Sequence, residues 1–457
     1  MKKLLLSFSL IALSSTINAQ WTSQGTGFSV ASRGLSQIHI VDANTVWALA
    51  YDGSTPTPPA TTNPDPQQFT MTTDGGGSWT AGTINVGNTA WAINNISPVS
   101  ATTAWVSAIN NITGDPSNGV GYIYKTTNSG TTWTQQLATG FQTAGSSFLN
   151  GVYFFNANVG IAYGDPVGGE FEVYRTINGG TTWTQVPAAS LPNPLNMEFG
   201  YNNSPIAIGN TLWFTTSKGR LYKTTDAGVT WNAYQTPIAD FGGGVTMGTS
   251  GNVHFSDVNN GYLLRAVGTT TPVYTYYTTT NGGTTWSAGS PYTGTRFILN
   301  YIPGTTTIVA TSAAAPNGTS ISTNNGATWT DLEPGGTTQR GASAFLNGST
   351  GWCAGFSGTD PFTNGIFKLT APLAIQSFEN VATYKVYPNP ATSTVSISAL
   401  NVDTFNLSVT DITGKVVMAK SLNGIENTLD ISSLSTGAYF FELSSDNKKE
   451  VIKILKN

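Results

Sequence analysis

An eight-residue stretch, Thr72-Thr73-Asp74-Gly75-Gly76-Gly77-Ser78-Trp79, recurs five more times along this chain. The further copies start at Thr126, Thr176, Thr224, Thr279 and Ser322, and the shared pattern is Ser/Thr-x-Asp/Asn-x-Gly-x-Ser/Thr-Trp. Its acceptor, glycine and tryptophan are Asp74, Gly76 and Trp79 in the first copy, then Asn128, Gly130 and Trp133, and Asn178, Gly180 and Trp183. The last three copies supply Asp226, Gly228 and Trp231; Asn281, Gly283 and Trp286; and Asn324, Gly326 and Trp329. A turn of this kind repeated every 43 to 55 residues defines a repeat architecture, which limits the folds open to the chain.

Each repeat carries more than its turn. Upstream lie short runs rich in Val, Ile, Tyr, Phe and Trp, separated by turn residues, as in Asp42-Ala43-Asn44-Thr45-Val46-Trp47. A third run, such as Tyr122-Ile123-Tyr124-Lys125, leads directly into the turn, and the Trp opens a fourth. Four antiparallel strands per repeat is the blade of a β-propeller, which manages its sheet edges by radial repetition. Six turns are complete. Asn347 to Leu369 supplies three further strands, and Trp21-Thr22 matches the start of an outer strand elsewhere, as in Trp79-Thr80. The expectation is an all-β, seven-bladed propeller over residues 20–371, closed by its N-terminal strand, followed by a small C-terminal β-sandwich.

Composition narrows the function. The net charge is only −4 and no Lys/Arg stripe exists, which argues against nucleic acid as a partner. Cys353 is the sole cysteine, and His39 and His254 are the only histidines, so neither a disulfide nor a Cys-based or zinc metal site is expected. No phosphate loop or dinucleotide fingerprint implies a cofactor. Residues 1–19 read as a signal peptide: Lys2 and Lys3, the apolar run Leu4 to Leu13, then Ile17-Asn18-Ala19. That run is too short to span a bilayer, and no transmembrane segment is expected elsewhere. The reading is a secreted protein.

The composition changes after Thr370, with residues 372–383 as a linker. In residues 384–457, alternation at Val395/Ile397, Leu407/Val409 and Tyr439/Phe441/Leu443 suggests half-buried strands. Seven of the thirteen lysines fall in the last 73 residues. Tyr387-Pro388-Asn389-Pro390, Asp411 with Gly414-Lys415, the Leu434-to-Tyr439 segment and the lysine-rich end resemble the type A sorting domain of type IX secretion cargo. That resemblance implies the type IX machinery as a partner. It also implies a mature protein that is extracellular or attached to the outer-membrane surface.

The recurring turn resembles the Asp box of the bacterial neuraminidase repeat superfamily, which includes sialidases, xyloglucanases, sortilin-type receptors and photosystem II assembly-factor propellers. Four copies carry Asn where that family prefers Asp. The Asp box is expected to be structural: its acceptor caps backbone N–H groups, Gly takes positive φ, and Trp packs between blades. It joins the third and fourth strands, on the face opposite the mouth.

Candidate ligand-binding residues belong to the mouth loops. Arg33, Arg296 and Arg340 fall at corresponding places in three adjacent blades, and guanidiniums around one channel would bind an anion; each could equally be a local brace. Asp65, Asp115, Asp165 and Asp360 each precede proline, an ordinary turn starter that could also serve Ca²⁺ or a leaving group. Glu198 and Tyr201 share one mouth loop. The superfamily resemblance implies an Arg triad with Tyr, Glu and Asp for a sialidase, but the sialidase Phe/Tyr-Arg-Ile-Pro signature is missing around Arg33. Trp91, Phe141, Phe199 and Tyr201 could line a groove of the xyloglucanase kind. His39 and His254 alternate away from the apolar side of their strands. The expected function is a non-catalytic binding or scaffold module for an extracellular peptide or glycan. The alternative is a glycoside hydrolase using mouth carboxylates.

Overall fold

The computed structural model describes residues 21–52, 66–112, 114–136, 140–202, 204–243, 248–358, 360–370, 384–399, 404–424, 426–445 and 448–457. The segments read as signal peptide and linker, and Asp65, lie outside these residues. The chain divides into two compact units, Met1–Leu373 and Ala374–Asn457.

The first unit is built from seven four-stranded antiparallel sheets, six of them laid out in chain order from inner to outer strand. Sheet one holds Arg33–Ile40, Val46–Asp52, Gln68–Thr72 and Thr80–Thr83. The seventh holds Ser343–Asn347, Thr350–Ala354 and Ile366–Leu369, and its outer strand is Trp21–Gln24 from the other end of the chain. Trp21 pairs with Leu369 and Gln24 with Ile366, so the N-terminal strand completes the last blade as expected. Seven hydrophobic clusters fill the junctions between neighbouring sheets. One joins Trp352 and Ile366 of sheet seven to Val46 and Ala48 of sheet one, and thereby completes the circle of a β-propeller.

The recurring turn shows why its residues are needed. In the first copy Thr72 Oγ1 donates to Asp74 Oδ1 at 2.7 Å and accepts from Gly76 N at 2.9 Å. Asp74 Oδ1 also accepts Ser78 N at 2.9 Å. The Asn copies keep this network by reversing one bond. Ser78 and Thr230 hydroxyls donate to the second oxygen of Asp74 and Asp226 at 2.7 and 2.6 Å. In the other copies Nδ2 of Asn128, Asn178, Asn281 and Asn324 donates to a threonine hydroxyl at 2.8–2.9 Å. A hydroxyl serves as donor or acceptor, so either residue closes the turn.

The glycine position sits at φ between +79° and +89° in all six copies, and the residue before it is also left-handed. That preceding residue's N–H bonds a carbonyl in the inner hairpin of its own sheet, for example Gly75 N to Asn44 O at 2.9 Å and Gly282 N to Asn259 O at 2.7 Å. Neighbouring blades clip onto the same place. Lys125 Nζ donates to Gly179 O, and Arg175 Nε to Ala227 O, both at 2.9 Å and both from the third strand of the preceding sheet.

These bonds hold the exposed Asp74 carboxyl well below the ordinary carboxylate range, the Ser78 N–H contributing most. Because the pKa is depressed in the fold, the stability it adds is present above the unfolded value near 4 and is lost as pH falls further. Asp74→Asn should therefore melt like wild type at neutral pH and lose less stability in acid. A melting-temperature series from neutral pH downward checks this, and unfolding of the variant at neutral pH would contradict it.

The second unit is a β-sandwich of a three-stranded and a four-stranded sheet. Val395, Ile397, Leu407, Val409, Tyr439, Phe441 and Leu443 are all buried in one core with Tyr384, Phe405 and Ile454. The alternation read from the sequence thus marks the inner faces.

Candidate ligand-binding site at the mouth

In each sheet the strand two-to-three loops, and the loops leading to the next sheet, share the face opposite the recurring turns. Arg33, Arg296 and Arg340 lie on this face at corresponding positions, but they reach outward along their own blades rather than into the channel. Arg33 pairs with Asp52 at 2.5 Å and with Gln68 Oε1 on the third strand at 3.3 Å. Arg296 is fully buried and donates to Asn317 O, Ser320 Oγ and Asp331. Arg340 forks onto Glu333 at 2.6 and 3.0 Å and lies over the Phe367 ring, 4.2 Å from its centroid. Each guanidinium is thus engaged by local carboxylate, carbonyl or amide groups, as a buried or half-buried charge requires, with Arg340 Nη1 alone left without a partner.

Most of the proposed carboxylates are also committed. The Glu198 side chain is completely buried and accepts from Arg220, Thr216 Oγ1 and Leu195 N, so its place as a ligand-binding residue is corrected to a loop brace. Asp115 Oδ1 takes Ser117 N at 2.7 Å, and Asp360 Oδ1 takes Phe362 N at 2.9 Å, which is turn chemistry. Asp165 differs: burial lifts its carboxyl to about 6, against the pull of bonds from Asn150 and Gly200. Among the aromatics, Phe141 is buried core and Trp91 stacks flat on Tyr122 at 5.2 Å.

The inner strands carry a feature that sequence reasoning missed. Amides on neighbouring strands stitch one blade to the next near the axis. Gln37 Nε2 donates to Asn94 O, Asn94 Nδ2 to Leu149 O and Asn95 Nδ2 to Val152 O, each at 2.7 Å, and Asn300 Nδ2 reaches Ser343 Oγ at 3.0 Å. The available signal was an Asn or Gln inside otherwise strand-forming runs. His39 lies beside Gln37, its Nε2 3.4 Å from Oε1. Burial lowers both His39 and His254 to about 4, so each is neutral at pH 7.

Between sheets four and five, on the mouth side, is a cavity of about 410 Å³. Tyr201, Ser204 and Ile206 line it from the loop into sheet four and that sheet's first strand, Trp213 from the second strand, Phe241 from the loop into sheet five, and Asn252 and His254 from the first strand of sheet five. Tyr201 donates to Asp240, which holds the phenol at the cavity edge. Ser204 Oγ and Asn252 Oδ1 are buried with no hydrogen-bond partner. No charged side chain lines the cavity among the described residues. Of the residues singled out from sequence, Tyr201 and His254 meet here; Arg33, Arg296, Arg340, Glu198, Asp115 and Asp165 do not.

Comparison with known proteins bears on the second unit. Residues 385–457 match the family model described as "Secretion system C-terminal sorting domain". These residues are a sorting domain. The sorting domain marks the chain for type IX export to the cell surface or extracellular space. Its motifs have structural roles. Asn389 donates through Nδ2 to Lys453 O at 2.8 Å and accepts from Leu455 N at 2.9 Å, tying the first strand's end to the last strand. Tyr439 OH donates to Ser435 O at 2.9 Å, and Asp411 Oδ1 caps Thr413 N at 2.8 Å. No helix among the described residues is long and apolar enough to cross a membrane.

No curated protein sequence matches the chain. Among solved structures, a YCF48 bound to D1 peptide is 13% identical, covering 77% of this chain and 97% of its own, with a TM-score of 0.49. The GH74 enzyme of Niastella koreensis is 15% identical over 95% of this chain and 74% of its own, with a TM-score of 0.46. Trypanosoma rangeli sialidase in complex with the inhibitor DANA is 10% identical over 93% and 84%, with a TM-score of 0.39. The strand pairings and the clusters between neighbouring sheets establish the propeller fold independently of these likenesses.

Proposed function

We propose that the propeller is an exported, non-catalytic binding module for a peptide or glycan, and that an uncharged group of that ligand enters the cavity between sheets four and five. The observation that carries this reading is the pair of orphaned polar atoms, Ser204 Oγ and Asn252 Oδ1, in a mostly apolar cavity without charge. A buried polar atom left unpaired costs about 1–3 kcal/mol, which a ligand hydrogen bond recovers. Concave, mostly apolar sites with a few polar groups are the usual form of ligand pockets. On this reading residues 1–19 are the export signal, the recurring turn is an Asp box, and residues 372–383 link the two units.

Glycoside hydrolysis would need two free carboxyl groups facing across the mouth. Glu198 is spent on Arg220, Asp115 and Asp360 cap turns, and the two carboxyls that burial raises, Asp165 and Glu172, lie together on neighbouring strands of one sheet rather than across the mouth. The test is a screen of the purified full chain on arrays of neutral and charged glycans and of peptides. Asn252→Ala should abolish capture while leaving the melting temperature unchanged or higher, because it removes an unpaired atom. Capture that survives this substitution, or sugar released from sialylated or β-glucan substrates, would overturn the reading.

A further inference from the structure

We propose that Asp165, Asn150 and Glu172, at the mouth end of the third sheet, form a binding site for a hard divalent cation, namely Ca²⁺. The site is separate from the cavity between sheets four and five, and its residues come from three consecutive strands. Asn150 lies on Leu149–Phe154, Asp165 on Gly160–Val167 and Glu172 on Glu170–Thr176.

Two β-bulges create it. Pairing between the first two strands skips from Leu149↔Gly164 to Gly151↔Tyr163, which leaves Asn150 as the extra residue. Pairing between the second and third skips from Gly164↔Glu172 to Pro166↔Phe171, which leaves Asp165 as the extra residue. A bulge re-aims its side chain out of the regular alternation. The two re-aimed groups meet: Asn150 Nδ2 donates to Asp165 Oδ1 at 2.7 Å. The loop entering sheet four closes over them, with Gly200 N donating to the same oxygen at 2.9 Å. Gly200 approaches so closely that a Cβ there would stand 2.6 Å from Asn150 Nδ2.

The site is short of positive charge and long on oxygen. Asn150 is fully buried, and its Oδ1 has no partner although the same amide already touches Asp165. Glu172 is 7% exposed; Phe141 N at 3.4 Å and the Ser147 side chain hydrogen-bond its carboxyl, and Oε2 is left without a partner. The four ion pairs found among the described residues all lie elsewhere. Burial raises the carboxyls of both Asp165 and Glu172, and the charge of Glu172 adds to the effect on Asp165. A buried carboxylate beside a half-buried one, without a counter-charge, is unfavourable at neutral pH, and a bound cation removes that penalty. The donors are two carboxylates and an amide carbonyl, with no imidazole or thiolate, which suits a hard oxygen-seeking ion and not zinc. No three His, Cys, Asp or Glu side chains among the described residues are grouped so that they could hold a metal ion together, so only two charged ligands contribute here and the affinity should be modest.

Calorimetric titration of Ca²⁺ into the chelator-treated full chain at neutral pH tests the proposal. The expected result is a single site with Kd of about 0.1–1 mM, as in extracellular modules, and a melting temperature that rises with Ca²⁺. Asp165→Asn and Glu172→Gln should each weaken binding at least about tenfold, each removing one charged ligand. Each removes a charge that lies partly or wholly out of water, so each should fold and melt no lower than wild type without Ca²⁺. Asp360→Asn, on a turn of another sheet, should bind like wild type. The absence of heat and of any melting shift up to about 10 mM Ca²⁺ would overturn the site. So would binding that neither Asp165→Asn nor Glu172→Gln changes. Neither result bears on the glycan and peptide arrays, which read a different cavity.

Discussion

Glu198→Ala is expected to destabilise the propeller by about 3–5 kcal/mol and to abolish ligand capture at the mouth. The Glu198 side chain has no exposed surface, and both of its oxygens are saturated. Oε1 accepts Arg220 Nε at 2.9 Å and Thr216 Oγ1 at 2.5 Å, while Oε2 accepts Leu195 N at 2.7 Å and Arg220 Nη2. Deleting the carboxylate strands a guanidinium whose side chain is only 12% exposed, and it frees the loop that Glu198 holds. That loop continues into Tyr201, so the cavity wall moves with it. The measure is the urea midpoint at constant m-value, alongside array binding. Glu198→Leu combined with Arg220→Met should lose less than Glu198→Ala alone, because a buried pair costs most when one charge is left behind. Equal losses in the single and double variants would show that the brace acts by packing and not by charge.

Gly130→Ala is expected to cost about 2–5 kcal/mol, the sum of a left-handed backbone penalty and overpacking. Gly130 has φ +79°, and a Cβ there would lie 2.1 Å from Phe69 Cζ of the preceding sheet. Phe69 cannot give way easily. It is 2% exposed, stacked on Trp47 at 5.1 Å and met edge-on by Trp133 at 6.0 Å. Gly145 supplies the control, since its φ is +73° and nothing lies within 4 Å of its would-be Cβ. Gly145→Ala should lose only the backbone part, about 1–2 kcal/mol. Phe69→Leu introduced into Gly130→Ala should recover part of the difference, which a double-mutant cycle measures. If the two glycine variants lose equal stability, the interblade contact is not what demands glycine.

Much of the fold was legible because the informative interactions are local. Thr72, Asp74, Gly76 and Ser78 bond to one another within a single turn, so their spacing is visible in any copy. The pairing of Trp21 with Leu369 spans the chain, yet it too was legible. One blade lacked an outer strand, and one outer strand lacked a blade. The arginines show where this ended. Their equivalence under the repeat holds in the structure, but a repeat fixes position along a loop and not the direction of a side chain. Arg296 turns outward because Asn317, just before the third strand, Ser320 on it and Asp331 on the outer strand wait for it. The same limit applied to Glu198, whose partner Arg220 lies on another strand of the next sheet.

The sequence by itself determined the recurring turn, the number and phase of the strands, the clasp by the N-terminal strand and the sorting domain at the C-terminal end. Each follows from short-range chemistry that repeats or from a compact motif. Only the tertiary structure decided which polar groups are spent and which are left over. Ser204 and Asn252 face one cavity from adjacent sheets, and Asn150 meets Asp165 because two bulges turn toward each other. A group is known to be unpaired only after every neighbour has been placed, and most of those neighbours are distant in sequence.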